Sequence, residues 1–201
     1  MSATAASGAP DRADFHTILR AGTKVGLLSA GGVVLYIIAA RTLHGLLAQG
    51  IEALIVLAIG TIAAFLPATW CVARNFEGIA AGAAAGLWGT VVFAICDIAV
   101  LRPFKAYPWT WDAIGGGSSW WYLPVWWMLG TFIAWMGGVR TAASAAKSPT
   151  LVRAAGPVWV SAIALAAVAE SAASLTLPVA TGLGFAVSLV AFALVAIVRG
   201  R

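Results

Sequence analysis

Between Gly78 and Leu101 the chain runs through 24 residues with a single charged side chain, Asp97. About 20 apolar residues wound as an α-helix cross a hydrocarbon layer ~30 Å thick. No water is present there to satisfy backbone N–H and C=O groups, so helix is the geometry such a run must take. The pattern recurs at Val25 to Ala40, Ala53 to Ala73 and Leu123 to Val139, all uncharged. Gly156 to Val198 carries only Glu170 and is too long for one crossing. Pro178 suits the first turn of a helix, where a missing N–H costs nothing, so a tight turn at Leu175 to Pro178 divides this block. Pro157 marks the start of the preceding helix on the same reasoning.

The predicted fold class is therefore an all-α integral membrane protein, a single bundle of about six transmembrane helices. The spans are 25–42, 52–73, 78–101, 123–142, 157–175 and 178–198, within a bundle covering 25–198. Composition agrees: 62% of residues are hydrophobic and 9% charged, with a mean hydropathy of +0.96. Barrel strands would alternate in hydrophobicity over ~10 residues, and these runs are continuous.

Residues 1–24 read as a cytoplasmic tail. Asp11 caps a short amphipathic helix over 11–23, whose Phe15, Ile18, Leu19 and Gly22 share a face that lies on the inner membrane surface. The basic stretch ahead of the first apolar run imitates a signal peptide, but its length and the following Arg41 favour a retained first helix.

Lys and Arg side chains alternate in abundance along this threading. Arg12, Arg20, Lys24, Arg74, Arg140, Lys147, Arg153, Arg199 and Arg201 fall on one side, against Arg41, Arg102 and Lys105 on the other. The positive-inside rule then places both termini in the cytoplasm. The alanine-rich composition suggests a bacterial cytoplasmic (inner) membrane. The basic residues stand singly at helix ends rather than in a stripe, so nucleic acid is not an expected partner.

Three features concentrate functional potential. Gly78, Gly82 and Gly86, spaced by four, give the third helix a smooth face for close helix packing. Glu52, Asp97 and Glu170 fall in the outer half of the bundle, where a carboxylate must be protonated, hydrated or paired. Arg41, Arg102 and Lys105 lie at their level and can neutralise them. The loop 102–122 is long for an antiparallel helix pair. Six of the ten tryptophans lie in or beside it: Trp109, Trp111, Trp120, Trp121, Trp126 and Trp127. An interfacial aromatic belt accounts for most of these rings. A lid over an outward-facing pocket, or a docking surface, accounts for the loop's length.

Catalytic and metal-binding constellations are missing. HExxH, GxSxG, a Cys–His arrangement and a phosphate loop do not occur, and His16, His44, Cys71 and Cys96 supply no ligand set. No cofactor is expected, with a bound lipid or hydrophobic pigment left open. The leading expectation is a non-catalytic membrane subunit or scaffold, contacting other subunits or its own copies through the glycine face and the outer aromatic loop. The alternative is a small-solute binding or transport protein whose pocket is built from Trp120, Trp121, Trp126, Asp97 and Glu170.

Overall fold

A computed structural model of the chain describes residues 13–103, 122–145 and 151–199. Among these, the fold is six long helices with no strand. They are α1 (Phe15–Thr42), α2 (Gly45–Trp70), α3 (Phe76–Cys96), α4 (Tyr122–Ala145), α5 (Leu151–Ala173) and α6 (Leu177–Arg199). A π-helical turn, Asp97–Leu101, continues α3. Among the described residues, five helices are long and apolar enough to cross a membrane: α1, α2, α3 with its π turn, α5 and α6. Helix α4 has comparable length, but Trp, Tyr and Gly lower its apolar character.

The boundaries differ from the sequence expectation where polar residues continue a helix. The expected surface helix over 11–23 is not a separate element. Phe15 to Thr42 forms one helix of 28 residues, capped by Asp14 rather than Asp11. The cause is packing: Gly22 and Gly26 let α1 press onto α3, where an added Cβ at either position would stand 2.5 Å from a carbonyl oxygen, of Ala85 or Gly89. Helix α5 begins at Leu151, so Pro157 lies within it and not in its first turn. Gly156 eases that position, because one of the two groups through which proline restricts the residue before it, the Cβ, is absent. Pro178 does stand in the first turn of α6, after Ser174, which reverses the chain with φ of 52°.

Helix α2 is the hub, packing against all five other helices. Around it run α1, α3, α4, α6 and α5, each against the next, and among the described residues the ring is not closed between α5 and α1. Paired positions fix the directions. Tyr36 meets Glu52, so α1 and α2 are antiparallel, whereas Gly22 and Gly26 of α1 meet Ala85 and Gly89 of α3, so those two are parallel. Gly86 lies against Ala134, and Gly138 against Ile79, which sets α4 antiparallel to α3.

Small residues make this closeness possible. The core between α2, α4, α5 and α6 is assembled from Ala64, Phe65, Met136, Ala155, Val158, Ala162, Phe185 and Leu189. Lipid offers no hydrophobic drive for helices to associate, so dispersion at short separation and interhelical hydrogen bonds hold them together. Two tryptophans provide such bonds: Trp88 Nε1 donates to Thr23 Oγ1 and Trp159 Nε1 to Thr61 Oγ1, both at 2.9 Å.

Candidate functional site

The up-and-down threading gathers chemistry at two ends. At the end away from the termini stand the close of α1, the start of α2, the π turn after α3, the start of α4 and the close of α5. Asp97 opens the π turn and is 7% exposed. Arg102 N–H bonds to the Asp97 carbonyl at 2.9 Å, the five-residue step that defines this turn. That wider turn brings the Arg102 side chain back, and its Nε donates to Asp97 Oδ2 at 3.0 Å. The pairing of Asp97 with Arg102 foreseen from their level in the membrane is present, and it is local to one turn.

Glu52 is half-buried in the second turn of α2 rather than at its start, because α2 begins at Gly45. Its Oε2 accepts from the Tyr36 hydroxyl at 3.5 Å. Glu170 is exposed in the last turn of α5, and Arg41 is exposed in the last turn of α1. The three carboxylates thus have separate settings: a cation for Asp97, a phenol for Glu52 and an open flank for Glu170. Trp126 is 39% exposed, while Trp127 carries a buried Nε1 without a hydrogen-bond partner. Trp109, Trp111, Trp120 and Trp121 lie outside the described residues.

The glycine face of α3 is occupied by this chain itself. Gly78 sits on the turn at Val72 and Ala73, Gly82 on Ala68 of α2, and Gly86 on Ala134 of α4. Its close packing is therefore intramolecular, and no part of it is free for another subunit.

Along α2 and α5 runs an apolar cleft of about 400 Å³ lined by Leu54, Leu57, Ala58, Ile62, Trp159 and Leu151. This cleft borders the opening in the ring. Glu170 follows Trp159 by eleven residues, about 20° around an ideal helix, so it continues the same stripe of α5 toward the far end.

At the end bearing the termini, the cap of α1 packs onto the α2–α3 turn. The Asp14 carboxylate accepts from the Thr17 hydroxyl at 2.6 Å and from the Thr17 N–H at 3.0 Å, and these bonds hold it below the ordinary carboxylate value. Cys71, 2% exposed, has its thiol pushed up to about 11, by burial first and by the Asp14 charge second. The Lys24 ammonium stands 5.5 Å from the Trp70 ring centroid.

The same end holds a constellation that sequence reading treated only as topology signals. Arg140 near the close of α4, Arg153 in the first turn of α5 and Arg199 at the end of α6 line one cleft of about 730 Å³. Its inner walls are Pro157, Phe192, Val195 and Ala196. The Arg140 guanidinium lies 5.6 Å from the Phe192 ring centroid, and its Nε is buried without a hydrogen-bond partner. The available signal was the alternation of helix direction, which sends positions 140, 153 and 199 to one end. That α4, α5 and α6 are mutual neighbours was the missing fact.

Among the described residues no group of three or more His, Cys, Asp or Glu could hold a metal ion. Comparison with protein families, with curated proteins and with solved structures gave no match.

Proposed function

We propose that this chain is a non-catalytic subunit of a larger assembly in a bacterial cytoplasmic membrane. It crosses six times, with α4 as the remaining crossing, and both termini face the cytoplasm. The observation that carries the reading is the open ring. Helix α2 touches every other helix yet keeps a bare stripe, with Leu54 65% exposed, between α5 and α1. Glu170 stands on the bordering stripe in the last turn of α5, where a carboxylate at the membrane edge favours a complementary donor or cation beside it. A transmembrane helix from another subunit, apolar beside Leu54 and Ala58 and bearing a donor or cation at the level of Glu170, answers both needs. The distribution of charge supports the orientation: Arg20, Lys24, Arg74, Arg140, Arg153 and Arg199 share the termini end.

The test is purification of the tagged full-length chain in mild detergent. A stoichiometric membrane partner is expected, and its yield should fall several-fold when Ala58→Trp fills the seam or Glu170→Gln removes the charge. A lone, thermally stable monomer would overturn the proposal, as would a partner indifferent to both substitutions.

A second reading rests on the π turn. Such turns recur at functional sites, and this one buries Asp97 directly before the aromatic loop. On that reading the outer end binds a small cation or flat solute. Ligand addition should then change tryptophan emission in the native chain and not in Asp97→Asn. A panel of vitamins, amines and ions that leaves emission and melting temperature unchanged would end it.

A further inference from the structure

We propose that the cleft between α4, α5 and α6 is a binding site for a phosphate-bearing anion, with an anionic phospholipid as the occupant that best fits its shape. Arg140, Arg153 and Arg199 converge on this one space from three helices, and no described lining residue carries a carboxylate. Arg140 and Arg199 bring like charges together at this membrane edge beside Arg153, and an anion seated between Arg140 and Arg199 relieves their repulsion. The second observation is at Arg140. Its Nε is buried and has no partner, and burying a charged donor unpaired is costly enough that such groups are normally satisfied. Phe192, against which the guanidinium rests, holds the plane of that fork in place.

Guanidinium geometry decides the class of ligand. Its parallel N–H groups match two oxygens of a phosphate, and several such forks can share one phosphate group. The walls decide between sources. Arginines sit at the helix ends while Pro157, Phe192 and Val195 line the side toward the middle of the membrane. A polar mouth above an apolar floor suits a headgroup whose acyl chains continue into the bilayer. This site is independent of the α2 seam, and it holds or fails whichever partner occupies that seam.

The full-length chain, purified in detergent, is incubated with phosphatidylglycerol or phosphatidylcholine and its adducts are counted by native mass spectrometry. In parallel, its melting is followed in inorganic phosphate against chloride at equal ionic strength. The expected result is one retained phosphatidylglycerol, bound about tenfold to a hundredfold more weakly in Arg140→Gln and in Arg199→Gln. Arg20→Gln, at the same end but on α1 and outside the cleft, should bind as the native chain does. Arg199 is exposed at the last turn of α6, so its variant keeps the test decisive if Arg140→Gln misfolds. Stabilisation by phosphate over chloride, lost in the same variants and without lipid preference, would assign the site to a free phosphate compound. Equal retention of both lipids with no advantage of phosphate over chloride would overturn the proposal. So would undiminished binding in both cleft variants.

Discussion

Substituting Gly137 by alanine tests whether backbone proximity holds the hub helix in place. A Cβ at this position would meet the Ala64 carbonyl oxygen of α2, with the Ala64 carbonyl carbon at 2.5 Å and Cα at 3.1 Å. Ordinary carbon–carbon contact is ~3.5–4.0 Å, so the methyl lacks roughly 1 Å of room. The obstacle is backbone, and no rotamer change relieves it. Helices α2 and α4 must part by about that much, which forfeits a quarter to a half of the dispersion energy at each contact across the seam. Overpacking of this kind costs about 1–3 kcal/mol, and an immovable obstacle places the expected loss near ~3 kcal/mol. Gly31→Ala and Gly50→Ala are the controls, since an added Cβ at either meets nothing within 4 Å. They should be neutral or stabilise by about 0.5–1 kcal/mol through reduced backbone freedom. Reversible unfolding in mixed micelles, followed by tryptophan emission, measures all three. A Gly137→Ala protein as stable as the native chain, or controls as damaged as Gly137→Ala, would refute the reasoning.

Cys71 should resist alkylation at neutral pH, reacting at an appreciable rate only as pH approaches about 11, and mass spectrometry of iodoacetamide-treated protein checks this. The Asp14 cap should respond to acid in one direction only. Its carboxylate titrates below 3.8 in the fold, so its contribution is complete above that pH and disappears as pH falls through the lowered value. Protection of the amides at the start of α1, taken relative to the intrinsic exchange rate at each pH, should therefore be lost only below pH 3.8, and in Asp14→Ala it should be low throughout. Thr61→Val removes the acceptor of Trp159 Nε1. The expected loss is about 0.6 kcal/mol, the usual worth of a polar contact between membrane helices, read from the same unfolding experiment. In a background lacking Cys71 and Cys96, Ser118→Cys should react with an impermeant maleimide added outside spheroplasts, and Ser144→Cys should react only after lysis.

Much of the fold was legible because hydrocarbon thickness sets the length of a crossing. The run Gly78 to Leu101 lies within α3 and its π turn, and Pro178 begins α6 as its missing N–H requires. Neighbour relations were not legible, since apolar faces in lipid look alike from every side. Thus the spacing of Gly78, Gly82 and Gly86 revealed a close contact but not that Ala68 and Ala134 of the same chain fill it. Pro157 alone suits a first turn, but the six residues before it also take helix, so α5 starts at Leu151. The Asp97–Arg102 pair followed from charge at one level of the membrane, whereas the π turn that closes it leaves no sequence signature. The arginine cleft needed knowledge of which helices stand side by side.

The bare stripe of α2 is most directly examined by placing a photoreactive benzoylphenylalanine at Leu54 and irradiating intact membranes. Leu35, exposed on α1, is the comparison site. A discrete higher-mass protein adduct at Leu54, absent at Leu35, is the result expected of a helix seated in the seam. Lipid adducts alone at both positions would contradict it.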